Sequence, residues 1–536
     1  MQFNNDQIQA SLEINRFIGS QNKYYLLEGA AGTGKTTLIA HILANSFAQK
    51  KIIFSAPTHK ALSVLRSKLE LNKTLKSQFM TVHKLLGLRR KIDDKGTIYF
   101  NDVDEDFINN EEFSNISKCN IIIIDEASMI SSSIYQTIIT KFANNRSVKI
   151  IFVGDRNQLP PVNEQMSVVF MRNIPSFKLN KIERYKNGIV KYANSIIENT
   201  KVSKKQIRPE VEFIKQEKDW IESYLDNYES SIILAYTNTR VNYLNRIIRN
   251  KLIGQTDEKY VENDKIVFNN FYANDNTSFY TSQIETIESV EVVTTPIMVF
   301  PITQILNLKY ISNGTSKLIE KTKLESACPC CYEEEIDNYY ETVCGHKFCT
   351  TCLKIWLENN KTCPMCRCEI KGENEVVIKN DGKLSNLINL FYKKTVDKNV
   401  DTYRIKLRLT GMGDSPQINT DPYIFTIHQD SKETYDEYSQ ELFNLLIDIR
   451  SHILKKSKDK FNKLLLCNLW NYYYNEIIDN FANIVYGYAM TVHKSQGSTY
   501  ENVYVDLNNI MINKNEKKEC VYTGITRSSE NLRILI

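Results

Sequence analysis

The stretch Tyr24-Tyr25-Leu26-Leu27-Glu28-Gly29-Ala30-Ala31-Gly32-Thr33-Gly34-Lys35-Thr36-Thr37 decides the reading of the fold. Its aromatic and apolar opening reads as a short strand buried on both faces. The glycines that follow fit G-x-x-x-x-G-K-[ST], and a helical pattern begins at Lys35. Strand, glycine-rich loop and helix in that order make a cradle for a triphosphate. Backbone N–H groups wrap the phosphates, Lys35 reaches the β- and γ-phosphates, and the Thr36 hydroxyl binds Mg²⁺. Gly29, Ala30, Ala31, Gly32, Thr33, Gly34, Lys35, Thr36 and Thr37 are thus the expected contacts of ATP.

Working outward, KIIFSAP (51–57), NIIIIDEAS (120–128) and VKIIFVGD (148–155) are further β-rich runs, with helical patterns at 35–50 and 59–70. Such alternation predicts a parallel sheet flanked by helices. The same signature returns at SIILAYT (231–237), VYGYA (485–489), NVYVD (502–506) and NLRILI (531–536), so a second α/β unit is assembled from distant segments. The intervening 255–480 is richer in Thr, Asn and Tyr. The apolar run Ile121–Ile124 delivers Asp125 and Glu126 to a strand end, where Asp125 would face the metal and Glu126 the attacking water. Gln158, after the next strand, is placed to sense the γ-phosphate. Arg184 and Arg527 are candidate arginine fingers, because the transition state spreads negative charge over equatorial oxygens.

The chain has 536 residues and a net charge of +5, compatible with nucleic acid and not diagnostic of it. It opens on a polar segment without a secretion signal, and no apolar run approaches the roughly 20 residues of a membrane span. The expectation is an intracellular protein of cytoplasm or nucleus, without a membrane partner. Nine of the twelve cysteines lie between Cys328 and Cys368. Without a secretion signal, that clustering favours metal over disulfides. The spacing is Cys328-x2-Cys331, then Cys344-x-His346-x2-Cys349-x2-Cys352, then Cys363-x2-Cys366. Eight ligands at four per tetrahedral site predict two Zn²⁺; Cys330 and Cys368 are surplus.

The ordered motifs DQIQA, GAAGTGKTT, APTHKAL, TVHKLLGL, IIIIDEASM, VGDRNQLPPV, LNKIERY, LAYTNTRVNYLN, YGYAMTVHKSQGSTYENVYVD and YTGITRS run from residue 4 to 528. In order and spacing they resemble a superfamily 1 helicase of the RecD/Dda type. That resemblance implies two RecA-like motor domains that clamp ATP and step 5′-to-3′ along single-stranded DNA as a monomer, opening duplex ends. It implies that Gln7 reads adenine and that Pro57, Thr58, Thr81, His83, Thr491 and His493 lie along the nucleic-acid path. Gln496 and Gly497 would couple that path to ATP. His83 and His493 read equally well as structural residues at helix starts. Tyr185 stands where relatives often carry Gln. LRRKIDDKGTIYFND (88–102) reads as a hairpin turning at Asp94-Lys95-Gly96, where relatives carry a pin that splits the duplex. ENDKIVFNNFY followed by TSQIETI resembles a small β-barrel inserted in the second motor domain.

The cysteine spacing resembles a RING finger, whose ligands interleave. Cys328, Cys331, Cys349 and Cys352 would hold one zinc, and Cys344, His346, Cys363 and Cys366 the other. In RING ubiquitin ligases a groove docks the ubiquitin-conjugating enzyme; its matching positions are Cys330, Trp356 and Pro364. Arg367 follows the last ligand, where active ligases often carry a basic residue. The organisation expected is a first motor domain at 1–200, a second from 201–254 and 481–536, a barrel-containing insertion at 255–325 and 371–480, and the RING at 326–370. An RNA motor is the alternative track, and a docking module the alternative use of the RING. Heavy use of Asn, Ile and Lys fits an AT-rich genome. With the inserted RING, it points to a large DNA virus, and so to a virus factory as the compartment.

Overall fold

The computed structural model describes residues 3–46, 50–69, 77–93, 95–102, 116, 119–145, 147–181, 187–198, 210–274, 277–296, 319–324, 328–331, 336–341, 346–349, 352–353, 356, 362–365, 387, 390–391, 394, 399–409, 422–456, 466–467 and 469–536. The first unit is a six-stranded sheet. Its strands lie in the order Ser77–Thr81, Ile52–Ala56, Ile121–Ile124, Lys149–Gly154, Tyr24–Gly29, Ser176–Leu179. Every pairing in it is parallel. The strand Ile121–Ile124 sits centrally and is wholly buried. Four such side chains each contribute about 1.5–3 kcal/mol on burial, which fixes this strand in the core and its acidic end at the sheet rim. The helix Asn5–Gly19 starts with a capping box between Asn4 and Gln7, a device worth about 1 kcal/mol, and it seals one face of the sheet through Ala10, Ile14 and Phe17.

The second unit is a five-stranded parallel sheet in the order Ala489–Thr491, Ser231–Ala235, Tyr500–Asp506, Ser528–Leu535, Val211–Ile214. Its core also takes Ile189, Tyr192, Ala193 and Ile196 of the helix Asn187–Glu198. This helix lies within the 1–200 span expected of the first motor domain, and its apolar stripe packs on the second sheet. Ala31 and Leu159 of the first unit belong to the same apolar cluster, so the two units meet through a buried seam.

The insertion is an antiparallel five-stranded sheet in the order Tyr423–Ile427, Asn399–Arg408, Ile284–Pro296, Lys265–Phe268, Ile484–Tyr486. The small β-barrel expected here is not confirmed: among the described residues the strands form one sheet. Its two edge strands approach through Ala482 N–H donating to Phe425 O at 2.7 Å and share no ladder among the described residues. The VYGYA run, read as one strand of the second unit, is divided at Gly487. Ile484–Tyr486 joins the insertion and Ala489–Thr491 the motor sheet. Gly487 permits this, since a Cβ there would lie 2.8 Å from the Ile266 carbonyl carbon. The buried pair Arg249–Asp264, at 2.9 Å, and the bond from Tyr488 Oη to Asp264 at 3.1 Å further weld the insertion to the second unit.

The hairpin Leu88–Ile92 with Ile98–Asp102 forms as expected, Ile92 facing Ile98 across the turn. Asp94 lies outside the described residues; Asp93 Oδ1 accepts Lys95 N–H and Thr97 N–H, both at 2.8 Å, and Gly96 takes φ +80°. The tip does not stand free. Tyr474 Oη donates to Gly96 O at 3.1 Å, and a Cβ on Gly96 would meet the Trp470 ring at 2.8 Å. Trp470 and Ile92 share an apolar cluster with the long helix Lys432–Lys456. Among the described residues no helix is long and apolar enough to cross a membrane.

Candidate functional site

A cleft between the two parallel sheets is lined by Gly32, Gly34, Lys35, Thr36, Thr37, Asp125, Glu126 and Gln158 from one side and Gly497, Ser498, Thr526 and Arg527 from the other. The loop reaches this shape through positive φ at Gly32 (+82°) and Gly34 (+80°). Lys35 Nζ donates to Gly29 O at 2.7 Å and Ala30 O at 3.0 Å, folding over the loop that a triphosphate would fill. Thr36 Oγ1 donates to Asp125 Oδ2 at 3.0 Å, so a hydroxyl and a carboxylate meet where Mg²⁺ would be held. Gln7 is 6% exposed and turned to the loop, its amide donating to Thr33 O at 3.1 Å while its oxygen accepts Asn4 N–H at 3.1 Å.

Glu126 sits at the strand end in the left-handed region, with φ 52° and ψ 48°. For a non-glycine residue that conformation is strained and clusters at functional sites. Burial first, then the neighbouring Asp125, pushes its carboxyl above the ordinary carboxylate range; Arg527 and Lys35 pull it back. Arg527 is 4% exposed and held by Thr523 O at 3.0 Å and Ser498 O at 3.2 Å. Gln158 is buried with its Oε1 unpaired. Next to it, Leu159 O accepts Gln496 Nε2 at 3.2 Å and Leu159 N–H donates to Thr523 Oγ1 at 3.0 Å. Gly497, at φ +77°, lies against Ala61 of the first unit. Arg184, with Tyr185, falls outside the described residues.

Two residues at this seam escaped the sequence reading. Asp155 Oδ2 accepts Ala31 N–H of the phosphate loop at 2.9 Å and also Tyr522 Oη of the second unit at 2.7 Å. Tyr522 stands inside YTGITRS, yet nothing in a linear motif says which carboxylate a tyrosine will find.

The two units carry the same tetrapeptide, Thr81-Val82-His83-Lys84 and Thr491-Val492-His493-Lys494, each at the end of an edge strand. In both the threonine Oγ1 accepts the lysine N–H at 3.3 Å. Thr58 Oγ1 likewise accepts Ala61 N–H at 3.2 Å, directly after Pro57. Burial holds His83 below its ordinary pKa, and His493 Nε2 lies 3.5 Å from Glu516.

In the cysteine-rich segment, Sγ of Cys328, Cys331, Cys349 and Cys352 lie within 4.8 Å of one another. The Cys331–Cys349 separation is 3.8 Å. A tetrahedral thiolate site with Zn–S near 2.3 Å has an edge of about 3.8 Å, so this set fits zinc. Cys363 Sγ lies 3.6 Å from His346 Nδ1, matching the mixed sulfur–nitrogen edge of a second site. The remaining ligands of that site, Cys344 and Cys366, and the basic Arg367 lie outside the described residues. Cys330 is exposed, Pro364 partly so, and the partly buried Trp356 donates its indole N–H to Thr362 O at 2.7 Å.

The AAA domain family matches residues 2–219, the UvrD-like helicase C-terminal domain 486–535, and the Ring finger domain 326–367. Uncharacterized protein R530 of Acanthamoeba polyphaga mimivirus is 30% identical, covering 100% of both chains. RecBCD enzyme subunit RecD of Buchnera aphidicola subsp. Schizaphis graminum is 38% identical over 26% of this chain and 23% of its own length. ATP-dependent DNA helicase dda of Enterobacteria phage T4 is 23% identical over 47% of this chain and 58% of its own.

Proposed function

The chain belongs to the superfamily 1 helicases, in one full-length family with mimiviral R530 and with a RING-type zinc finger set into it, and from that premise we propose a 5′-to-3′ translocase on single-stranded DNA that opens duplex ends as a monomer. The observation that carries the motor is the cleft where Lys35, Glu126 and Arg527 converge from two separate sheets. Lys35 binds the β- and γ-phosphates of ATP. Glu126 orients and deprotonates the water. Arg527, joined by Arg184, meets the charge that develops in transfer. Thr36 and Asp125 hold Mg²⁺, which neutralises phosphate charge. Gln7 contacts the base, and Gln158, Gln496 and Gly497 report the state of the cleft to the strand. Pro57, Thr58, Thr81, His83, Thr491 and His493 line that strand. The relatives named RecD and DNA helicase dda favour DNA over RNA, and the mimiviral relative fits a large-DNA-virus setting and its virus factory.

The test is strand separation with matched DNA and RNA duplexes carrying a 5′ or a 3′ single-stranded tail. Unwinding of 5′-tailed DNA alone is expected. Preference for the 3′ tail refutes the polarity, and preference for RNA refutes the track.

The RING supports a second activity, ubiquitin ligation, with docking alone as the other use. Its favouring observation is the bond from Trp356 to Thr362 O, which pins a large aromatic to the loop that carries Pro364; Cys330 is exposed. Aromatic anchors of this kind carry binding energy at protein interfaces. Two Zn²⁺ would shape that surface, one on the four cysteines that cluster and one on Cys344, His346, Cys363 and Cys366.

A further inference from the structure

Beside the inserted sheet, a separate two-stranded hairpin of the insertion carries two aromatic doublets, Phe271-Tyr272 and Phe279-Tyr280, on its facing arms. Tyr272 and Phe279 are paired across it, and both point inward. Tyr272 is 3% exposed, and Phe279 is 2% exposed and stacked flat on Phe268 with centroids 4.5 Å apart. Side chains alternate across a strand, so the outer members, Phe271 and Tyr280, are turned the other way. Their rings lie 6.0 Å apart. His59 of the first motor unit completes the group. Its imidazole stacks on Tyr280 at 4.7 Å with an interplanar angle of 7°, and lies 6.0 Å from Phe271. Phe271 remains 52% exposed.

That exposure is built in. The hairpin is pinned by Asn274 N–H to Thr277 O at 2.9 Å and by Asn274 Nδ2 to Tyr423 O at 2.8 Å. Lys60, beside His59, donates to Ser282 O at 2.8 Å and fastens the far arm to the first unit. Burial, then Lys84 and His83, hold His59 below its ordinary pKa. A pinned cluster of stacked rings next to Lys60, with one ring half exposed at the seam of two units, has the chemistry of a base-stacking platform.

We propose that Phe271, backed by the His59–Tyr280 stack, receives one unpaired base of the strand. This rests on the single-strand motor reading. The inserted hairpin thereby becomes part of the track, gripping a base, while the threonine-capped turns of the two motor sheets face phosphates. Because the insertion is welded to the second unit and His59 belongs to the first, the base is held where the units move past each other.

The test is an abasic scan. Oligo-dT strands carrying a single abasic site at successive positions are titrated against wild type, Phe271→Ala and Phe271→Trp. Stacking on an aromatic side chain is worth a loss of about five- to a hundred-fold in affinity when removed. Wild type should show one position with a loss of that size. Phe271→Ala should bind intact oligo-dT more weakly by the same factor and show no further loss at that position, while Phe271→Trp restores it. Thermal unfolding of both variants should match wild type, since the side chain is exposed. A Phe271→Ala profile identical to wild type overturns the proposal. A wild-type protein that binds no strand, intact or abasic, overturns instead the motor reading on which it rests.

Discussion

Tyr522 and Asp155 meet at 2.7 Å across the seam of the two motor units, and the same Asp155 oxygen accepts Ala31 N–H from the phosphate loop at 2.9 Å. Both residues are 1% exposed. A single carboxylate oxygen thus ties the loop that holds ATP to a helix of the opposite sheet. In a low-dielectric seam such shared hydrogen bonds reinforce one another. Any shift of the second unit alters the contact at Ala31 directly.

Tyr522→Phe tests that tie. It keeps the ring and removes a hydroxyl that donates to Asp155 at 2.7 Å and accepts Ala31 N–H at 3.2 Å; Ala31 N–H keeps Asp155, so the net loss is about 1 kcal/mol. Strand-stimulated ATP hydrolysis should fall roughly five-fold with only a small drop in melting temperature, because 1.4 kcal/mol is about ten-fold in rate. Measured ATPase with and without oligo-dT decides it. Full stimulation in the variant would mean the contact is merely structural.

For the chemistry itself, Lys35→Ala should abolish strand-stimulated ATPase, since no cation then faces the β- and γ-phosphates. Glu126→Gln should still bind ATP and turn over at a small fraction of the wild-type rate. The pH dependence follows from the raised Glu126 carboxyl. A base with a raised pKa is lost to protonation at higher pH than an ordinary carboxylate. The acid limb of kcat should therefore lie above the ordinary carboxylate range, and a limb at or below about pH 4.3 would contradict the assignment.

Gly96→Ala addresses the hairpin tip. Alanine at φ +80° is strained, and its Cβ would press on the Trp470 ring at 2.8 Å. The tip should lift from the aromatic helix that carries Trp470 and Tyr474. Duplex unwinding should fall several-fold while strand-stimulated ATPase is retained. Parallel loss of both activities would tie the hairpin to the motor cycle rather than to strand separation.

The parallel sheets were legible because the strands of a doubly covered sheet are short continuous apolar runs, and IIII before Asp125-Glu126 leaves no other reading. The eight-ligand spacing was legible because metal chemistry fixes it locally. Partnership across the chain was not. Ile189, Tyr192, Ala193 and Ile196 announce an apolar helix face without saying which sheet it covers. Gly487 divides one apolar run between two sheets only because the backbone of Ile266 crowds it. Whether the inserted strands closed into a barrel depended on edge pairing of residues near 425 and 482, which periodicity does not encode. The Tyr522–Asp155 tie likewise exists only once the two units are apposed.

The zinc module offers the last test. The four clustered sulfurs and the Cys363–His346 approach fit two tetrahedral sites, so purified protein should carry about two zincs per chain. Cys349→Ser should lose one of them and loosen the segment while ATPase persists, because the RING is inserted between strands Ile284–Pro296 and Asn399–Arg408 and none of its described residues lines the nucleotide cleft. Metal-free protein with an intact fold at 328–365 would refute this. On an intact zinc module, ubiquitin ligation then turns on Trp356. Its indole N–H is spent on Thr362 O, which fixes the ring to the loop that carries Pro364. Cys330 is exposed where ligases carry a branched aliphatic side chain, which offers less apolar surface for docking. Autoubiquitination with a panel of conjugating enzymes should be weak yet measurable, and Trp356→Ala and Arg367→Ala should each reduce it at unchanged zinc content and unwinding. Activity from no conjugating enzyme, or from both variants at the wild-type level, would leave the RING as a docking module.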